Sequence, residues 1–234
     1  MTGTQYKAER IGNVKGLGEI FCLCAPLNNQ IETFREVGIL APYLVLPEEV
    51  VAIRLAEASN LGTRTSMTPL SVQGENTILY RGSPWMSSPE MARVAVRAHA
   101  ESRYPQMQRE FYEAVKEKAK EQECLEPEDR IAFRLSQKGN FQLTPEMPDT
   151  RFILGPRAEE YFKTKGHSSI KLYDLNSDSA KEVDVNYLWF NGSQCGSALS
   201  CRNGDLGRLS RAFGVLRPGK ASAKNFRASL KIKS

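Results

Sequence analysis

The chain has 234 residues, 41% hydrophobic and 25% charged, a composition that excludes a disordered, collagenous or low-complexity protein. Its net charge is +5, yet eight positive charges and no acid follow Asp205, so residues 1–205 sum to about −3 and the basicity belongs to one segment. The longest apolar stretches, near residues 20–24 and 183–190, are far too short to span a bilayer, and no basic start leads into an apolar run, which predicts a cytoplasmic protein with no membrane partner.

Gly12, Gly16 and Gly18 lead into an apolar strand over residues 19–24 that stops at Pro26. Pro47-Glu48-Glu49 opens a helix through Ala58, with proline where no N–H is needed and acids at the positive end of the helix. Residues 69–81 predict a hairpin turning at Gly74-Glu75-Asn76. Ser88-Pro89-Glu90 starts a helix with Met91, Val94, Ala95 and Ala98 inward and Arg93, Arg97 and Glu101 outward. Another helix follows Pro105, its stripe formed by Met107, Phe111, Val115 and Ala119, and its end is a solvated mixture of lysines and glutamates.

After Pro127 the pattern predicts short strands at 131–135, 141–143, 151–154, 170–173 and 183–190, with one helix starting at Pro156. Residues 138–140 and 174–181 are turns, and 191–207 form a long Gly, Ser and Asn-rich loop. Residues 225–233 alternate strictly, Phe226, Ala228, Leu230 and Ile232 against Arg227, Ser229, Lys231 and Lys233, the pattern of a half-buried strand with a basic outer face. The expected class is α+β: a helix-containing N-terminal half packed with a mostly antiparallel C-terminal sheet, one compact unit with a soft boundary near 124–128.

Five cysteines, Cys22, Cys24, Cys124, Cys195 and Cys201, are odd in number and lack zinc-site spacing, which argues for free thiols in a reducing compartment and for neither metal nor cofactor. His99-Ala100-Glu101 resembles the H-x-E half of the zinc deaminase signature, without its P-C-x-x-C half. The Gln194–Ser197 stretch resembles the loop of papain-like nucleophiles, but position 198 is Ala and both histidines, His99 and His167, lie upstream. Gly192-Ser193-Gln194-Cys195-Gly196 also departs from G-x-S-x-G. Leu79-Tyr80-Arg81-Gly82-Ser83 looks like the strand-end arginine of arginine-type ADP-ribosyltransferases, with Phe152, Ala158 and Phe162 at that family's spacing. Ile153-Leu154-Gly155 stands where it has Ser-Thr-Ser, and Glu182-Val183-Asp184 only imitates its Glu-x-Glu.

Residues 207–215 are similar to the glycine-rich loop near the C-terminus of the ferredoxin-like RNA-binding subunits of CRISPR complexes, minus the usual second pair of glycines. The sequence therefore predicts a non-enzymatic nucleic-acid-binding protein with no catalytic residues. Its phosphate contacts would be Arg202, Arg208, Arg211, Arg217, Lys220, Lys224, Arg227, Lys231 and Lys233, within a larger assembly. The alternatives are a structural component of a virion or other multisubunit particle whose basic arm docks on an acidic protein neighbour, and an ADP-ribosyltransferase-like enzyme.

Overall fold

The structure, a computed structural model, describes residues 6–41, 43–83, 86–100, 105–173, 175, 184–185, 187–192, 197–202 and 209–218. In chain order the elements are β1 (Glu9–Val14), β2 (Gly18–Ala25), α1 (Leu27–Glu36), α2 (Pro47–Leu55), β3 (Thr63–Arg64), β4 (Met67–Ser71), β5 (Ile78–Arg81), α3 (Pro89–Ala100) and α4 (Pro105–Glu121). After a 3-10 turn at Pro127–Asp129 come β6 (Ala132–Arg134), β7 (Phe141–Leu143), α5 (Pro148–Leu154), α6 (Ala158–Lys165), β8 (Ile170–Tyr173), β9 (Asp184–Val185), β10 (Tyr187–Phe190), β11 (Ala198–Arg202) and β12 (Ser210–Leu216). The class is α+β, with six α-helices among the described residues. The larger sheet has eight strands in the order β1-β2-β12-β3-β10-β11-β8-β7, and the smaller has four in the order β6-β5-β4-β9.

Two pairings in the large sheet are parallel, β12 with β3 and β11 with β8; the rest are antiparallel. β12, the last described strand, pairs with β2 over seven consecutive residues, from Ser210↔Ala25 to Leu216↔Glu19. That long register needs two close approaches. Gly18, at φ +126°, lets the β2 backbone lie against Leu216, and Gly214 leaves room for Ile39 and the Phe34 ring. Between β12 and β3, the Thr63 hydroxyl donates to the Arg64 carbonyl and accepts from the Phe213 N–H, 3.0 Å each, so neither backbone group is buried unpaired.

The main core lies where the large sheet meets α2, α5 and α6, with Ile20, Val50, Ile53, Phe152, Tyr161, Leu188, Phe190 and Phe213 at its centre. A second core holds α1 against the sheet through Leu27, Ile31 and Phe34. The third packs α4 on the small sheet, where Phe111, Val115 and Ala119 are buried at the predicted four-residue spacing and Phe111 meets Tyr80 edge-on at 5.6 Å.

Several expected elements differ. Residues 151–154 are helical because Pro148 and Asp149 occupy the first turn of α5, where proline is preorganised, and Gly155 ends it at φ +74°. Among the described side chains of α3, Pro89 and Ala92 are buried, with Met91 and Val96 packed beside Ala92, while Val94 is 47% exposed. The face is turned because α3 lies along α1, with Arg93 paired to Glu32 at 2.7 Å and Glu90 to Arg35 at 3.7 Å. The loop expected over 191–207 contains β11, and the glycine-rich loop reading of residues 207–215 falls largely on β12. The strand expected over 225–233 lies outside the described residues.

Glu75, in the β4–β5 turn, ties the small sheet to α4. It accepts from Tyr112 Oη (2.7 Å), Lys116 Nζ (3.0 Å) and Arg134 Nη1 (3.2 Å), and these donors hold its carboxyl down at about 2. A folded-state value below the unfolded one means that the contribution is complete above the usual carboxylate value and is lost as pH falls towards about 2. Urea unfolding measured across that acid range should show stability falling with pH, and Glu75→Gln should flatten the slope; an unchanged slope would disprove the assignment.

Candidate functional site

Six side chains from separate parts of the chain form one hydrogen-bonded cluster at the β10–β11 end of the large sheet. Arg54, on α2, is fully buried, its guanidinium 4.0 Å over the Phe190 ring. It donates through Nη1 to Tyr161 Oη on α6 at 2.9 Å, and through Nη2 to the carbonyls of Asn191, which follows β10, and Leu61. Burial lowers the Arg54 pKa, while the Tyr161 hydroxyl opposes the shift. Tyr161 Oη lies 3.0 Å from Ser197 Oγ, and Ser197 Oγ lies 2.9 Å from His167 Nε2. On the other side, the Asn191 amide donates to Tyr173 Oη, at the end of β8, at 2.8 Å.

Local sequence explains how these groups meet. Gly166, at φ +66°, ends α6 in the left-handed conformation, and the His167 N–H returns to the Phe162 carbonyl at 2.9 Å, which fixes the start of the next segment. The parallel pairing of β11 with β8 places Ala198 opposite Lys171 and Ser200 opposite Tyr173. The Asn191 N–H donates to the Ala198 carbonyl at 2.9 Å, closing the β10–β11 connection beside Ser197.

The cluster has a direction. A guanidinium only donates, so Tyr161 Oη accepts from Arg54. Tyr161 is fully buried, and among the described residues Ser197 Oγ is the acceptor within reach of its proton. Ser197, 8% exposed, donates to His167 Nε2 in the tautomer with the imidazole proton on Nδ1 and accepts from Nε2–H in the other. The hydrogen-bonded chain runs from the buried cation outward to half-buried His167, and a second branch ends at half-buried Tyr173. Lys171 Nζ stands 5.9 Å from the Tyr173 ring.

No protein-family model matches the chain, and no curated protein matches it. A solved structure from Nanoarchaeota, in which the C-type lectin fold accommodates massive sequence variation, superposes with a TM-score of 0.56 at 15% identity, over 91% of this chain and 99% of that one. The chain has the C-type lectin fold. This likeness overturns the expectation of a nucleic-acid-binding protein and that of a virion or particle component, because the fold that accounts for nearly the whole chain is a lectin-like one.

The described part of the basic segment is also built into this fold. Arg211 lies on β12 beside Cys22, where it opposes the rise that burial imposes on that thiol, and Arg217 is ion-paired with Glu49, which also caps α2 by accepting from the Leu46 N–H at 2.8 Å. Arg202 is the last residue of β11, in register with Tyr187. Arg208, Lys220, Lys224, Arg227, Lys231 and Lys233 lie outside the described residues, as does Cys195.

The ADP-ribosyltransferase resemblance fails on geometry. Arg81 is held by Glu48 at 2.8 Å and by the Phe152 carbonyl at 2.7 Å, and Phe152 sits on a helix where that motif needs a strand. His99 is on α3. Among the described residues, no three His, Cys, Asp or Glu side chains gather where a metal could be held, and no helix is long and apolar enough to cross a membrane. Arg54, Tyr161, His167 and Ser197 were not linked by the sequence reading, since 143 positions separate Arg54 from Ser197 and no short motif joins them. The usable signal was the Gly, Ser and Asn-rich stretch after Phe190, a loop of the length that often carries function.

Proposed function

We propose that this protein recognises a small hydroxyl-rich ligand, a saccharide in the first instance, at the β10–β11 end of its large sheet. The observation that carries the reading is the connected cluster itself, with polar groups oriented by a buried cation and ending at two half-buried side chains, His167 and Tyr173. A polyol needs donors and acceptors held in fixed directions, and groups fixed beforehand bind without a further ordering cost. The Tyr173 ring adds a flat apolar surface, and Lys171 adds a positive charge beside it. The Nanoarchaeota neighbour supports a recognition role, because sequence variation on a constant scaffold changes what a surface contacts while the frame persists.

Saturation-transfer NMR with neutral and acidic mono- and disaccharides tests the reading. At least one class should receive saturation from the protein, and Tyr173→Phe should weaken its binding by about tenfold, the loss of one well-placed hydrogen bond. No transfer to any sugar at millimolar concentration, or affinity unchanged in both Tyr173→Phe and Lys171→Ala, would reject it.

A further inference from the structure

Ser197 stands two residues after Cys195, the position that the papain-like resemblance would make the nucleophile, and it is Ser197 that a histidine reaches. His167 lies upstream of residues 192–198, yet its Nε2 is 2.9 Å from Ser197 Oγ. Chain order is no requirement for a nucleophile and its base, since the same geometry is built from several orders. We propose that Ser197 is an acyl-accepting nucleophile, with His167 as its general base and Tyr161 as a positioning residue. The ligand class is an activated acyl group on a small carrier. This inference uses the same cluster as the saccharide reading but does not require that a saccharide bind.

Three features support the assignment. Ser197 Oγ lies within hydrogen-bond distance of both Tyr161 Oη and His167 Nε2, and in the tautomer that carries the imidazole proton on Nδ1 the Ser197 O–H donates to Nε2. Tyr161 receives a hydrogen bond from a fully buried guanidinium, which polarises its O–H and so stabilises negative charge developing on Oγ. His167 is held by its backbone bond to Phe162 and by a tilted packing of its ring on Tyr161, centroids 6.3 Å apart, while remaining half-buried and reachable. Nucleophile and base within hydrogen-bond reach, with a third group fixing the geometry, is the arrangement that activates a serine.

In the reaction with an ester, Ser197 Oγ forms a bond to the carbonyl carbon as its proton passes to His167 Nε2. The tetrahedral adduct collapses, the bond to the leaving oxygen breaks, and His167 returns the proton to that oxygen. Water, deprotonated by the same nitrogen, then releases the acid and restores the serine. With a fluorophosphonate, the Oγ–P bond forms, the P–F bond breaks and fluoride leaves, with the proton retained on His167 until solvent takes it.

The test is to incubate the full chain with a fluorophosphonate probe and locate the adduct by peptide mass spectrometry, alongside release of p-nitrophenol from its acetate ester. The expected adduct is on Ser197, and His167→Gln should slow its formation by about a hundredfold, the scale of general-base catalysis. Ser197→Ala should abolish it. Tyr161→Phe should slow labelling and displace its pH profile, a readout that looser packing alone would not move. Because His167 is half-buried, His167→Gln is expected to fold, and its melt reports this directly. Absence of a Ser197 adduct on the folded wild-type chain, or labelling at an undiminished rate in folded His167→Gln, would overturn the proposal. Saccharide binding that persists without labelling would defeat this inference alone, and labelling without saccharide binding would defeat only the recognition reading.

Discussion

Arg54→Leu should destabilise the fold by about 3–5 kcal/mol, on the scale of removing one partner from a buried charged network. Leucine keeps an apolar contact with Phe190 but removes the donor to Tyr161 Oη and to the carbonyls of Asn191 and Leu61. Tyr161 Oη is buried, and a buried acceptor left unpaired costs about 1–3 kcal/mol, while the lost carbonyl contacts are part-buried and add less. Tyr161→Phe should cost less, because it removes one hydroxyl and leaves the other guanidinium bonds in place. The double variant should lose less than the sum of the two, since both changes delete the same bond. Paired denaturant titrations decide the matter: an Arg54→Leu variant within about 1 kcal/mol of wild type would show that the buried guanidinium does not organise this end of the molecule.

Gly214→Val should also destabilise, by about 1–3 kcal/mol, although valine is much the better strand former. Gly214 is paired with Phe21 in the middle of β12. A Cβ there would stand 2.8 Å from Ile39 Cδ1 and 3.1 Å from two atoms of the Phe34 ring. Both side chains are buried, Phe34 completely, so the ring has little room to retreat and α1 itself must shift. The relief test is Gly214→Val combined with Ile39→Ala, which should recover part of the loss if crowding is the cause. A thermal melt of Gly214→Val at or above the wild-type midpoint would show that strand propensity outweighs the contact.

Local chemistry determined much of this protein's framework. Alternation and glycine punctuation located β2, proline and acids located α2, turn residues located the β4–β5 hairpin, and the four-residue spacing of Phe111, Val115 and Ala119 located the buried face of α4. Each of these signals is carried by residues a few positions apart, which is the range over which sequence pattern has meaning. The α+β class followed from their order. The sequence also misled where a short apolar run fits two conformations: Phe152, Ile153 and Leu154 suit a strand, and the proline at the start of α5 settled them as helix.

What only the tertiary structure decided is long-range. No local pattern states that β12 lies between β2 and β3, although that pairing joins segments nearly two hundred residues apart. The basic charge after Asp205 looked like a single surface feature because sequence counts charges without their partners; Arg217 is ion-paired with Glu49, 168 positions away. The candidate site has the same character. Arg54, Tyr161, His167, Tyr173, Asn191 and Ser197 are each ordinary in their local context, and they acquire chemistry only when chain reversals bring them within about 3 Å of one another, the range at which hydrogen bonds act.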